Sequence, residues 1–239
     1  MALDTPHQPA GLEGFVPFPA DRAAAYRAAG YWSGGTLDTL LSDAAQRWPD
    51  RVAVIDALAD TGLSYADLDA RADRAAAGLR DLGIAPGDRV LLQLPNGCRF
   101  AVALFALLRA GAVPVLCLPG HRATELGHFA AVSGAVGLVI ADGSTGFDYT
   151  AMARDVVAKH PALKHVVIDG DPGPVTSWAQ VGAGAPARPP VPSADPASPA
   201  VLLVSGGTTG TPKLIPRTHD DYVFNATASA QLCRLTAED

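Results

Sequence analysis

A chain of 239 residues, with 49% hydrophobic and 18% charged residues, is long enough to bury a sizeable core and too apolar to be disordered. Its formal net charge of −6 argues against nucleic acid as a partner, because phosphate backbones are bound by clustered Lys and Arg. The longest apolar run, residues 100–108, is far shorter than the roughly 20 residues of a membrane span, so we expect no membrane segment.

Apolar residues at helical spacing predict helices, and the short apolar runs between them predict strands. Up to residue 169 the predicted elements are helices over 36–48, 64–83, 99–109, 122–134 and 148–160, and strands over 51–57, 88–94, 113–118, 136–142 and 163–169. Thr36 and Ser64 are the expected caps of the first two helices, and Gly83 fits the end of the second. This alternation predicts an α/β fold with a mostly parallel sheet flanked by helices.

The stretch 183–199 contains six prolines and little that is apolar beyond alanine. Such a composition is typical of an extended surface connection. We interpret it as a Pro-rich loop within one domain that covers residues 1–239, and a true domain boundary stays open as the alternative.

Beyond the Pro-rich loop, the sequence predicts a strand over 200–205, a glycine-rich turn, a second strand over 213–218 and a final helix. Thr218 followed by Asp221 is a variant of the capping box and predicts that this helix begins at Thr218 or His219. The chain ends at Asp239, where an α/β layer normally continues into another strand, so we expect a truncation.

The glycine-rich turn lies in the segment LLVSGGTTGTPKLIPRTHDDY, residues 202–222. Its glycines allow positive φ and close approach of a ligand, and consecutive amides in such a turn can form an anion-binding nest. Its hydroxyls are donors that suit phosphate oxygens, and its lysine adds a compact positive charge. The residues concerned are Ser205, Gly206, Gly207, Thr208, Thr209, Gly210, Thr211 and Lys213. Together they predict a polyphosphate site, and ATP is the usual source of that group.

Other interpretations of the turn are weaker but not all excluded. A P-loop requires GxxxxGK[ST] leading into a helix, whereas here Pro212 precedes the lysine, Leu214 follows it and a strand is predicted next. A dinucleotide fingerprint has neither this spacing nor this position. A glycine-rich hairpin without a ligand stays open.

The segment LLVSGGTTGTPKLIPRTH resembles the phosphate-binding signature of the adenylate-forming (AMP-binding) superfamily. Residues 63–79 and 105–119 resemble the first two core motifs of that superfamily. The double glycine and the PRTH continuation, together with residues 26–32 and 114–126, resemble its stand-alone aryl-acid adenylating enzymes. Asp220 stands where that branch often has Asn, but an acid is favourable at a helix start.

The resemblance implies that the chain is the N-terminal portion of the large adenylate-forming domain. It further implies that 2,3-dihydroxybenzoate or salicylate is activated with ATP and Mg²⁺ as an acyl-adenylate for siderophore or related nonribosomal peptide synthesis. The acyl group would then pass to the phosphopantetheine thiol of an aryl carrier protein. Alternatives are an acyl-CoA synthetase, an amino-acid adenylation domain or a non-catalytic nucleotide-binding remnant.

The same resemblance implies that residues Ser205 to Gly210 wrap the β and γ phosphates. Thr208 and Thr209 would donate hydroxyls, and Lys213 would supply charge. The catalytic lysine of the family would lie beyond Asp239, so no catalytic residue is assigned and the isolated chain is expected to be nearly inactive. No protein metal ligands are expected.

Several remaining polar and aromatic residues receive structural interpretations. His219, beside two aspartates, is expected to cap a helix rather than to catalyse. His121 and Arg122 are expected at the start of a helix, and a role near the substrate stays open. Three other histidines lack any constellation of partner residues: His128, His160 and His165. The tryptophans are expected to be packing groups rather than stacking platforms: Trp32, Trp48 and Trp178.

The three cysteines, Cys98, Cys117 and Cys233, show neither metal-ligand nor CxxC spacing, so we expect buried free thiols in a reducing cytoplasm. The first 15 residues contain prolines and acids but lack the basic and apolar regions of a signal peptide. Both features predict a cytoplasmic protein.

Overall fold

A computed structural model describes residue 12 and residues 14–57, 59–143, 146–173, 175–183, 194–206 and 212–236. In these ranges the helices are α1 (Ala20–Ala28), α2 (Leu37–Arg47), α3 (Tyr65–Asp81), α4 (Cys98–Arg109), α5 (Ala123–Ser133), α6 (Tyr149–Lys159) and α7 (His219–Leu232). The strands are β1 (Val52–Asp56), β2 (Thr61–Ser64), β3 (Arg89–Gln93), β4 (Val113–Leu116), β5 (Gly137–Ala141), β6 (His165–Asp169), β7 (Thr176–Ser177), β8 (Pro199–Val204) and β9 (Leu214–Thr218).

Seven strands form one sheet in the order β7-β6-β5-β3-β4-β8-β9. Every neighbouring pair is parallel except the last, β8 and β9, which is antiparallel. The prediction of a mostly parallel sheet is therefore confirmed. Strands β1 and β2 form a separate antiparallel pair. The sequence patterns had indicated neither β2, nor β7, nor α1.

Helices cover both faces of the sheet, and strand β3 shows how. Val90 and Leu92 belong to the core cluster that includes Leu107 of α4, whereas Leu91 belongs to the cluster that includes Phe129 of α5. Successive side chains of a strand point to opposite faces, so a strand buried on both faces must be apolar throughout. Burial on both faces explains why the run at 88–94 is nearly continuous in apolar residues, from Val90 to Leu92 and again at Leu94.

Local capping signals in the sequence are confirmed. The Ser64 hydroxyl accepts a hydrogen bond from the Asp67 amide at 3.1 Å, and α3 begins at the next residue. Thr36 is the N-cap residue of α2. Gly83 follows the end of α3 with a φ of +103°, a conformation that favours glycine.

Arg109, at the end of α4, ties three helices together. Its side chain is only 8% exposed and forms ion pairs with Asp69 at 2.5 Å and Asp73 at 2.8 Å, both on α3. It also donates to the hydroxyl of Ser42 on α2 at 2.9 Å and to the Asp69 carbonyl at 2.8 Å. The planar guanidinium can serve all four acceptors at once because its donors point in fixed, divergent directions.

The prediction of buried cysteines is confirmed only for Cys117, since Cys98 is half-buried and Cys233 is exposed on the last turn after α7. Burial raises the pKa of the Cys117 thiol to about 12. In the part of the chain that the structure describes, no helix is both long and apolar enough to cross a membrane.

The predictions for the tryptophans are confirmed only in part, and the Pro-rich loop is described only at its ends. Trp32 and Trp178 are buried as expected, but Trp48 is 39% exposed. Residues 184–193, most of the Pro-rich loop, lie outside the described residues, so its course stays a prediction. Its predicted end is off by one residue, because Pro199 is already the first residue of β8.

Candidate phosphate-binding site

The glycine-rich segment connects β8 to β9 at one end of the sheet. Strand β8 runs parallel to β4, with Leu202 opposite Val115, so the segment begins where the carboxyl ends of the parallel strands lie. The chain then returns antiparallel, with Leu214 opposite Val204. In open α/β sheets, ligands bind outside the carboxyl ends of the strands. The strand that follows Lys213 also confirms that the turn is not a P-loop, which would lead into a helix.

Two hydrogen bonds between Ser205 and Lys213 close the base of this segment. The Ser205 amide donates to the Lys213 carbonyl at 2.9 Å, and the Lys213 amide donates to the Ser205 hydroxyl oxygen at 2.8 Å. We call this pair the neck of the loop. Since the Ser205 oxygen only accepts in this contact, its own hydrogen is left to donate elsewhere.

The structure describes some of the predicted site residues and not others. Ser205 and Lys213 form the neck, Lys213 is exposed, and Gly206 is exposed with open space where a Cβ would stand. The remaining predicted residues lie outside the described residues, and their contacts with phosphate stay predictions: Gly207, Thr208, Thr209 and Gly210.

A histidine on α5 contacts the chain just before the neck. The Nε2 atom of His128 lies 2.9 Å from the carbonyl oxygen of Pro212. His128 thus has a backbone partner, although its surroundings in the sequence indicated no constellation of partner residues. The two residues are separated by 84 positions, so sequence spacing gave no signal for the contact.

Helix α5 is itself held at its N-terminus by a buried glutamine. Gln93, at the end of β3, donates from Nε2 to the carbonyls of Leu118 at 2.8 Å and His121 at 3.0 Å. The Tyr149 hydroxyl donates to Pro119 in the same turn, at 2.9 Å. These bonds fix the turn between β4 and α5. The role of Gln93 depends on the neighbouring strand, so no local pattern in the sequence indicated it.

The predicted position of His121 and Arg122 at the start of a helix is confirmed. Arg122 precedes the first residue of α5, and its amide donates to the carboxylate of Glu125 at 2.9 Å, a bond that lowers the pKa of that carboxyl. The Nδ1 atom of His121 accepts from the Leu118 amide at 3.0 Å, and burial lowers the pKa of the His121 imidazole.

The start of α7, directly after β9, is also held in place. The Thr218 hydroxyl accepts from the Asp221 amide at 3.2 Å, as the capping prediction requires. In a complete capping box the Asp221 carboxylate would also accept a hydrogen bond from the Thr218 amide, but here it forms an ion pair with Arg217 of β9. The arginine competes successfully with the backbone amide, because charge-assisted hydrogen bonds are the stronger ones.

His219 is buried, and its Nδ1 accepts from the Leu37 amide at 3.1 Å. The structural interpretation of His219 is confirmed, although the helix that it caps is α2 rather than its own. Burial lowers the pKa of His219, which suits an acceptor nitrogen that must stay unprotonated. The neighbouring Asp220 is buried as well and pairs with Arg27 of α1 at 2.6 Å. An ion pair, not only a helix start, thus accounts for an acid at position 220.

A family model described as AMP-binding enzyme matches residues 41–239. The chain belongs to the AMP-binding enzyme family. Membership confirms the resemblance found in the glycine-rich segment. The mostly parallel sheet flanked by helices is the N-terminal fold of adenylate-forming enzymes, as expected.

Two curated relatives place this AMP-binding chain nearer to one branch of the family. The salicyl-AMP ligase / salicyl-S-ArCP synthetase of Mycobacterium tuberculosis is 75% identical over 237 residues, which cover 98% of this chain and 42% of that protein. The 2,3-dihydroxybenzoate-AMP ligase of Bacillus subtilis is 43% identical over 224 residues, which cover 94% of this chain and 41% of that protein. The resemblance to aryl-acid adenylating enzymes is confirmed.

A solved structure gives the same result for the fold. The apo structure of Mycobacterium smegmatis MbtA is 63% identical and superposes with a TM-score of 0.89, covering 96% of this chain and 42% of that one. This AMP-binding chain therefore spans less than half the length of the relatives that it matches.

Proposed function

We propose that this chain serves in the ATP-dependent activation of an aryl carboxylic acid, of the salicylate or 2,3-dihydroxybenzoate type. The product would be an acyl-adenylate, with release of pyrophosphate. The proposal rests mainly on the neck formed by Ser205 and Lys213, which lies at the carboxyl end of the parallel strands. The chain that contains it belongs to the AMP-binding family. The names of the two relatives support an aryl acid as the substrate.

In this reaction a carboxylate oxygen attacks the α-phosphorus of ATP, and the bond to pyrophosphate breaks without any proton transfer. The protein must hold the reactants in line and stabilise the charge that develops on the leaving group. We assign the second task to residues 205–213. Their amides and hydroxyls would surround the β and γ phosphates, and Lys213 would neutralise the charge that accumulates on pyrophosphate.

We propose that Mg²⁺ accompanies the nucleotide rather than occupying a site built by the protein. In the described part of the chain, no group of three or more His, Cys, Asp or Glu is arranged to hold a metal ion. Mg²⁺ is commonly bound through substrate phosphates with few protein ligands, which supports an ion that arrives with ATP. The ion would neutralise phosphate charge, as we propose for Lys213.

The second half of the proposed reaction transfers the acyl group to a thiol. The name salicyl-S-ArCP synthetase, carried by the M. tuberculosis relative, supports an aryl carrier protein as the acceptor. The thiol attacks the activated carbonyl carbon, and AMP leaves. Because the reaction consumes ATP for biosynthesis, we place it in the cytoplasm.

The substrate can be tested by ATP–pyrophosphate exchange at the full length of the relatives. A hybrid enzyme would join this chain at Asp239 to the matching remainder of the M. tuberculosis protein, whose high identity favours a well-packed junction. We expect exchange with salicylate or 2,3-dihydroxybenzoate, and none with a fatty acid or an amino acid. Exchange with only a fatty acid or only an amino acid would contradict the proposal. Transfer to coenzyme A but not to a carrier protein would correct the acceptor.

A further inference from the structure

The contact between His128 and Pro212 assigns a role to a residue outside the glycine-rich segment. We propose that His128 is a positioning residue, which fixes the chain at the carboxyl end of the loop and so prepares the neck for a triphosphate. This inference rests on the proposed function, because it concerns the same phosphate site.

The direction of the hydrogen bond follows from its chemistry. A carbonyl oxygen can only accept, so the Nε2 atom of His128 must carry the hydrogen at 2.9 Å from Pro212. Both the neutral Nε2–H form and the imidazolium can donate this bond. The contact therefore needs a donor at this position, but it needs no positive charge.

The donor stands on a rigid support. Its neighbours Leu126, Phe129 and Ala130 on α5 are buried in a core cluster, and His128 itself is half-buried. Leu214, the residue after the neck, packs against the same cluster. A donor on a well-packed helix can hold a loop in one position at little entropic cost.

Three hydrogen bonds consequently act on two successive residues. The Pro212 carbonyl accepts from His128, the Lys213 amide donates to Ser205, and the Lys213 carbonyl accepts from Ser205. The chain that leaves the glycine-rich segment is thus fixed before any ligand binds. A neck that is already ordered lowers the entropy that binding must lose at Ser205 and Lys213, which improves affinity without a direct contact from His128.

Two substitutions separate the donor from the bulk of the side chain. His128→Phe keeps a ring of similar size but removes the donor, whereas His128→Gln keeps an N–H near the position of Nε2. Thr124→Ala, on the exposed side of the same helix, is the control. The first measurement is hydrogen–deuterium exchange in peptides that contain Lys213, performed on the 239-residue chain without nucleotide. We expect exchange about fivefold faster in His128→Phe, corresponding to one lost hydrogen bond, and near wild-type rates in the other two variants.

The second measurement is the affinity of the hybrid enzyme described above for MgATP, by titration calorimetry, because the 239-residue chain spans less than half the length of its relatives. We expect His128→Phe to weaken binding about three- to tenfold and His128→Gln to restore most of it. Unchanged exchange in His128→Phe, or equal losses in Phe and Gln variants, would overturn the positioning role. If the wild-type hybrid and its Lys213→Ala variant have the same affinity, the phosphate site itself is wrong, whatever the exchange data show.

Discussion

Replacing Arg109 by methionine should destabilise the chain strongly, because this arginine holds α2, α3 and α4 together. The substitution keeps much of the buried aliphatic stem but removes every donor. It also leaves Asp69 and Asp73 as like charges at positions i and i+4 of α3, an unfavourable pair.

The size of the effect follows from the exposure of the partners. Breaking a buried ion pair by removing one partner costs about 3–5 kcal/mol, since the other charge stays buried. The carboxylates of Asp69 and Asp73 are 28% and 49% exposed and would regain some water, which lowers the cost. We therefore expect the lower end of that range, about 3 kcal/mol. Arg109→Lys should lose about half as much, because one ammonium cannot reproduce the planar fork.

The matched control is Arg99→Met, which removes a single ion pair to Asp169 at 2.9 Å. Arg99 is 48% exposed, so this loss should cost at most about 1 kcal/mol. Urea unfolding of both variants at pH 7, followed by circular dichroism, gives the free energies of unfolding. A loss below about 1 kcal/mol in Arg109→Met, or one no larger than in Arg99→Met, would refute the reasoning.

Three further predictions concern other parts of the molecule. Burial lowers the pKa of His219, so the unfolded chain binds a proton at this residue more readily than the folded chain does. The free energy of unfolding should therefore fall by up to about 1 kcal/mol as the pH is lowered from about 7.5 to about 5.5. In urea unfolding, His219→Asn should reduce that fall. Gly78→Ala should lower the melting temperature by about 4–8 °C, because the new Cβ would overlap the backbone nitrogen of Gly182; an unchanged value would contradict the close contact. Exposed Cys233 should react with a thiol reagent in the native chain, whereas Cys117, with a pKa of about 12, should react only after unfolding.

Sequence features that act over a few residues predicted the fold well. Ser64 and Thr218 cap the helices that follow them, because a hydroxyl and an amide three residues apart meet wherever the chain turns into a helix. The nearly continuous apolar run at 88–94 likewise predicted a strand, and its composition reflects the burial of both faces of that strand.

Features that depend on partners far along the chain could not be predicted in the same way. The antiparallel direction of β9 follows from the short connection after β8, and a run of apolar residues carries no direction. The carboxylate of Asp220 is buried against Arg27, which lies 193 positions away. The contact of His128 with Pro212 likewise exists only once α5 packs beside the hairpin of β8 and β9.

The candidate site contains both kinds of feature, those readable from nearby residues and those that depend on distant partners. The glycines, hydroxyls and lysine of the segment 202–222 predicted a phosphate-binding turn, because each residue type has a chemical use there. The closure of that turn by Ser205 and Lys213 follows from the pairing of β8 with β9. Residue type thus suggested a phosphate ligand, which stays a prediction, whereas the closure at Ser205 and Lys213 depends on strand pairing.

The proposal that residues 205–213 hold the triphosphate is tested most directly by ATP–pyrophosphate exchange with the hybrid enzyme and salicylate. Lys213→Ala would be compared with Lys159→Ala, which removes an exposed lysine from α6. We expect kcat/KM for ATP to fall by about tenfold to a hundredfold in Lys213→Ala alone, as when a group that stabilises developing charge is removed. Equal exchange by both variants and the wild type would show that ATP is held elsewhere.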